Sequence, residues 1–88
     1  MFRRATAALR QAQDDSNVAQ TRALADNSLL WTTLVIALKD PDNALPASLR
    51  SSIISVGLAV QRELNAKQPD FPFLIGINEQ MTAGLMGI

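Results

Sequence analysis

Eight basic and eight acidic side chains among 88 residues, with 48% apolar residues, describe one small domain, and the zero net charge argues against a nucleic-acid surface, which needs a basic stripe. The chain has no Cys, His or Tyr, which removes disulfides, thiolate metal sites, the commonest general base and a phenolic acid. A chain of this size buries only roughly 60–65% of the surface its unfolded form exposes, so it depends on tight helix packing or on a partner that covers one face.

The first segment, Phe2 to about Gln13, is rich in Ala, Arg and Gln and favours helix. Phe2, Ala5, Leu9 and Ala12 form a thin apolar stripe at helical spacing. Arg3 and Arg4 could make its start a basic amphipathic contact for a membrane surface, but a solvated helix end is the reading taken, and no membrane partner is expected. "DDSN", Asp14 to Asn17, is either a break, since Ser and Asn favour caps, or part of a continuous helix. The second segment, about Val18 to Lys39, repeats Leu24, Trp31, Val35 and Leu38 at spacings of seven, four and three, with Leu30 and Leu34 beside them. That is a helix with a broad apolar face, although "WTTLVI" alone would suit a strand.

A dense turn follows. Pro41 pushes Asp40 out of the helical region, Asp42 and Asn43 are residues that hydrogen-bond locally, and Pro46 suits a first helical turn. Leu45 is placed to fold back on Leu49 as a hydrophobic staple. Stop, bend and start within about seven residues predict a helical hairpin. In the third segment, Ala47 to about Lys67, Leu49, Ile53, Val56, Val60 and Leu64 make one buried stripe, while Ile54 and Leu58 lie on another face. Gly57 costs about 1 kcal/mol in a helix interior, which points to close helix approach. The last segment starts at Asp70, a candidate N-cap, with Pro72 near the helix start. Phe71, Leu74, Ile75, Asn78, Met81 and Leu85 run down one side, and Gly84 and Gly87 weaken an end that frays. The expected fold is all-α, residues 1–88 as a single domain of three to four helices built on the hairpin.

Motifs for chemistry are missing. There is no phosphate loop, zinc spacing or nucleophile elbow, "DPDN" and "DDSN" lack calcium-loop spacing, Ser51, Ser52 and Ser55 have no His to activate them, and Glu63 and Glu79 read as solvated helical acids. No enzyme activity, metal or cofactor is expected. The most apolar stretch, Leu29 to Leu38, is ten residues long, against ~20 for a membrane span, and a cytoplasmic protein is expected. The informative feature is surplus apolar surface: three or four short helices do not easily bury two faces of the third segment and a broad face of the second. Either the core packs unusually well or a groove awaits an apolar helix from another protein. The candidate partner-binding residues are Trp31, Leu34, Leu45, Arg50, Ile54, Leu58 and Arg62, with Trp31 either a core anchor or a binding hot spot.

The order Trp31, Asp40–Pro41–x–Asn43–x–Leu45–Pro46–x–x–Leu49–Arg50, Ile53–Ile54–Ser55–Val56–Gly57, Val60, and Leu74–Ile75–x–Ile77–Asn78–x–x–Met81–x–x–Gly84–Leu85 resembles the FlaF family of bacterial flagellar proteins over roughly residues 19 to 86. The first segment is short for that family. The resemblance implies a cytoplasmic factor needed for flagellin production and secretion, acting with flagellin and with the regulator FlbT. It carries no catalytic, metal or cofactor residue. It suits a chaperone-like protein that holds an amphipathic helix of flagellin; a regulator of flagellin mRNA translation working through FlbT, or a homo-oligomer pairing its own apolar stripe, are the alternatives.

Overall fold

The computed structural model describes residues 1–86. Four helices follow one another, α1 (Phe2–Ala12), α2 (Asn17–Lys39), α3 (Ala47–Leu64) and α4 (Phe71–Met86), with no strand among the described residues; the fold is the expected small all-α bundle. Gly87 lies outside the described residues.

Each boundary has a local cause. "DDSN" is a break: α1 ends at Ala12, Ser16 Oγ accepts from Ala19 N at 3.2 Å, and Asp15 Oδ1 accepts from Ser16 N at 2.7 Å. Ser16 thus satisfies one of the orphan donors at the start of α2. At the other end of α2, Asp40 takes an extended conformation ahead of Pro41, as the residue before a proline must. Two side chains fold the turn. Asp40 Oδ1 accepts from Asp42 N at 2.9 Å, and Asn43 reaches both ways, its Nδ2 donating to Ala37 O at 3.0 Å and its Oδ1 accepting from Leu45 N at 3.0 Å. Pro46 is the N-cap of α3 rather than its first helical residue. The third helix stops at Leu64, three residues short of Lys67; Asn65 leaves the helix and its Nδ2 donates to Gln61 O at 2.9 Å, competing with continuation as Asn does. Asp70 caps α4, its Oδ1 accepting from Phe73 N at 3.0 Å.

Packing departs from chain order. α1 packs on both α2 and α4, while α3 packs on α2, so the spatial sequence is α3, α2, α1, α4. The molecule is elongated and shallow, 40 × 25 × 16 Å. The fully buried side chains include Leu9, Trp31, Leu38, Val60 and Leu74, one or more from every helix. Ile53 and Val60 of the α3 stripe are buried, and Leu49, Val56 and Leu64 pack on the core half-buried. Gly57 is the close-approach point expected of it: a Cβ there would stand 2.7 Å from Val35 Cγ2, closer than side chains approach, and 3.4 Å from the Trp31 ring, in ordinary contact.

Candidate functional site

Trp31 is where all four helices meet. Its ring is 0% exposed, lies against Gly57 of α3, and takes Phe2 of α1 edge-on at a centroid distance of 5.5 Å and 81°, an arrangement that suits the ring quadrupoles. Trp31 Nε1 donates to Asn78 Oδ1 of α4 at 3.0 Å, Asn78 Nδ2 donates to Asn27 Oδ1 at 2.7 Å, and Asn27 Nδ2 donates to Ala5 O of α1 at 3.1 Å and Ala23 O at 2.8 Å. Asn27 and Asn78 are each 1% exposed. This chain of bonds satisfies the polar groups inside the core and ties α1, α2 and α4 into one register. Asn78 appears in the sequence as one member of an apolar side; Asn27 did not stand out. The signal was present, because Asn27 shares the face of Ala23, Leu30 and Trp31, where a polar residue calls for a partner. Its partner 51 residues away has no local signature.

The seven candidate partner-binding residues do not form one surface. Trp31 is the core anchor and its ring has no face open to solvent. Leu34 of α2 and Leu45 of the turn are half-buried and pack against the core. The other four fall at intervals of four along α3: Arg50 and Ile54 half-buried, Leu58 half-exposed at 50%, and Arg62 exposed. A step of four residues advances about 40° around a helix, so they form a slowly winding row of two apolar side chains between two arginines. Arg50 Nε is shielded from water and has no hydrogen-bond partner among the described residues. At the edge of this row Gln61 Nε2 donates to Thr32 Oγ1 of α2 at 3.0 Å, which fixes the seam where α2 and α3 come together. The exposed apolar side chains of α2 itself, Val18, Leu29 and Ile36, were missed; they repeat at eleven and seven, a signal hidden by the stronger row on the opposite face.

Chemically the surface offers apolar contact and guanidinium donors. No group of three metal-ligating residues occurs among the described residues, and no described helix is long and apolar enough to cross a membrane. The groove of about 470 Å³ between α1 and α4, bridged by the Arg10–Glu79 ion pair, is lined mainly by Thr6, Ala7, Thr82 and Ala83.

The family model described as Flagellar protein FlaF matches residues 1–85. This chain belongs to the FlaF family. No curated protein and no solved structure matches it. The FlaF match takes in α1, which the resemblance over residues 19 to 86 left out, and α1 supplies Ala5 O and Phe2 to the centre of the fold. The turn and "ISVG" motifs of this FlaF chain now have physical meanings: Asn43 bridges the hairpin and Gly57 admits Trp31 and Val35.

Proposed function

We propose that this FlaF protein is a non-enzymatic flagellar biosynthesis factor that acts in the cytoplasm, binds flagellin in a chaperone-like way and promotes its synthesis and secretion. One observation carries the reading: the row Arg50, Ile54, Leu58, Arg62 on α3, winding from half-buried to exposed, apolar at its middle and cationic at both ends. An amphipathic helix with apolar residues on one stripe and a carboxylate at its edge matches that row, and the shielded Arg50 Nε gains an acceptor when such a helix docks. Helix-in-groove recognition of this kind supplies affinity through apolar burial and orientation through the charges.

Calorimetry with purified flagellin tests it. The wild type binds, and Leu58→Asp weakens binding at least tenfold, about 1.4 kcal/mol, while its thermal midpoint stays within a degree or two, because Leu58 is outside the core. A folded wild type that gives no binding overturns the reading. Binding to FlbT in place of flagellin moves the function to translational control, and a gel shift of the flagellin leader RNA that weakens steeply with salt replaces protein binding by direct RNA contact.

A further inference from the structure

The α3 row has a counterpart on α2. Gln61 Nε2 of α3 donates to Thr32 Oγ1 of α2, and Gly57 faces Val35, so the two helices run antiparallel with their levels fixed. Residues three and four apart share a helix face. One turn from the Thr32–Gln61 bond, towards the Asp40–Pro46 turn, therefore stand Ile36 on α2 and Leu58 on α3, 66% and 50% exposed. Half-buried Ile54 is one turn further along α3. Apolar side chains of both helices thus border one furrow over the α2–α3 seam.

The furrow has cations at its ends. Arg50 of α3 and Lys39 of α2 lie towards the turn and Arg62 lies at the other end. None of the three takes part in an ion pair among the described residues. The acids nearest in the chain serve elsewhere. Asp40 and Asp42 belong to the turn, where Asp40 Oδ1 accepts from Asp42 N, and Glu63 Oε2 accepts from Asp70 N in the connection to α4. In a chain of zero net charge this leaves a local surplus of positive charge around exposed apolar side chains.

We propose that this furrow takes an acidic amphipathic helix. It lies along α3, with an apolar stripe on Leu58 and Ile36, one carboxylate beside Arg62 and another beside Arg50 and Lys39. Arg50 and Arg62 are separated by ~18 Å of helix, so the partner carries its two acids about three turns apart on one face. This rests on the helix-binding reading above and adds what the bound helix must carry. Apolar burial supplies affinity for many helices, and the paired acids select among them. A flat anionic surface meets Leu58 and Arg62 but does not reach half-buried Arg50 and Ile54, so a helix suits the furrow better than a lipid surface does.

Two helical peptides of about five turns with the same apolar stripe test it, one with Glu and the other with Lys at both ends of the stripe, each titrated into the full chain by fluorescence anisotropy. The Glu peptide binds about tenfold tighter than the Lys peptide, and its affinity falls as salt rises. Arg62→Glu, at an exposed position, reduces the preference, and Arg50→Glu with Arg62→Glu reverses it. Ile36→Asp weakens the Glu peptide as Leu58→Asp does, whereas Val18→Asp, equally exposed but ~21 Å from Thr32 along α2, leaves it unchanged. Equal affinity for the two peptides, no binding of either by the folded wild type, a preference untouched by Arg62→Glu, an unaffected Ile36→Asp, or binding to phosphatidylglycerol vesicles in place of the Glu peptide overturns the proposal. Flagellin titrated alongside separates the two readings. Flagellin that binds but ignores salt and Arg62→Glu overturns the charge rule and leaves the chaperone reading standing; Glu-peptide binding without flagellin binding keeps the furrow and removes flagellin as its occupant.

Discussion

Trp31 Nε1 and Asn78 Oδ1 meet at 3.0 Å between residues that are 0% and 1% exposed, and what happens when one of them is removed follows from where water is. Asn78→Ala leaves the indole N–H and Asn27 Oδ1 without partners in a site water does not enter, and adds a cavity. Each orphaned group costs about 1–3 kcal/mol, so a loss of about 3 kcal/mol is expected, read as a lower urea midpoint followed by Trp31 fluorescence. Asn27→Ala frees Ala5 O and Asn78 Nδ2, and the double variant loses clearly less than the sum of the two, since the residues belong to one network. The Arg10–Glu79 ion pair sets the scale on the surface: both side chains are more than half exposed, so Glu79→Gln changes stability by less than about 1 kcal/mol. Gly57→Ala separates two opposed effects. The helix gains about 1 kcal/mol from Ala over Gly, while the new methyl meets Val35 Cγ2 at 2.7 Å. Val35 is a stiff, buried side chain, and overpacking costs typically 1–3 kcal/mol, so the net is a loss of about 1 kcal/mol by the same denaturation. Gly57 was legible in the sequence because glycine inside a helix needs a reason. The network was not, because an Asn in an apolar stripe says that a partner exists without saying which.

Helix boundaries were the most legible elements, where a side chain sets them. Ser16 and Asp70 cap as their positions before apolar runs imply, and the turn between α2 and α3 closes through Asp40 and Asn43. Ser16→Ala removes the acceptor for Ala19 N and is expected to cost about 1 kcal/mol, seen as a lower thermal midpoint. "DDSN" left two readings open because helix propensity through it is adequate; the Ser16 cap and the Asp15 bond to Ser16 N decide for the break. The end of α3 was placed too late, at Lys67, because Lys and the following Pro69 are generic stop signals, whereas Asn65 stops the helix sooner by bonding back to Gln61 O. α2 hid the most. One face holds the strong row of Leu30, Trp31, Val35 and Leu38, and the other holds Val18, Leu29 and Ile36, so the helix is apolar on two sides and periodicity reports only the stronger. Exposure in the fold separates them.

At the scale of the molecule, a Cα radius of gyration of 13.1 Å against about 12 Å for a compact chain of this length reflects an elongated, shallow bundle, 40 × 25 × 16 Å. A bundle of four short helices covers none of them on all sides, so α2 keeps Val18, Leu29 and Ile36 and α3 keeps Leu58 facing outward, and surplus apolar surface survives in the folded chain. The arrangement gives the shortest helix the largest structural duty. α1 has 11 residues, too few to be stable alone, yet it is the element that α4 packs on most and it provides Leu9, Phe2 and Ala5 O to the core. Sequence patterns could place the α2–α3 hairpin, since a seven-residue turn leaves those helices no choice. They could not place α4 on α1, because that pairing joins the two ends of the chain and depends on long-range fit. Deleting residues 2–15 therefore tests the topology. The hairpin keeps helical circular dichroism, while Trp31 loses Phe2, and Asn78 loses the packed helix that holds it in place. The expected result is red-shifted Trp31 emission and loss of a cooperative thermal transition, with amide protection falling first across α4. Retention of the full-length thermal midpoint would mean that α4 is anchored by α2 and α3 and that α1 is an accessory.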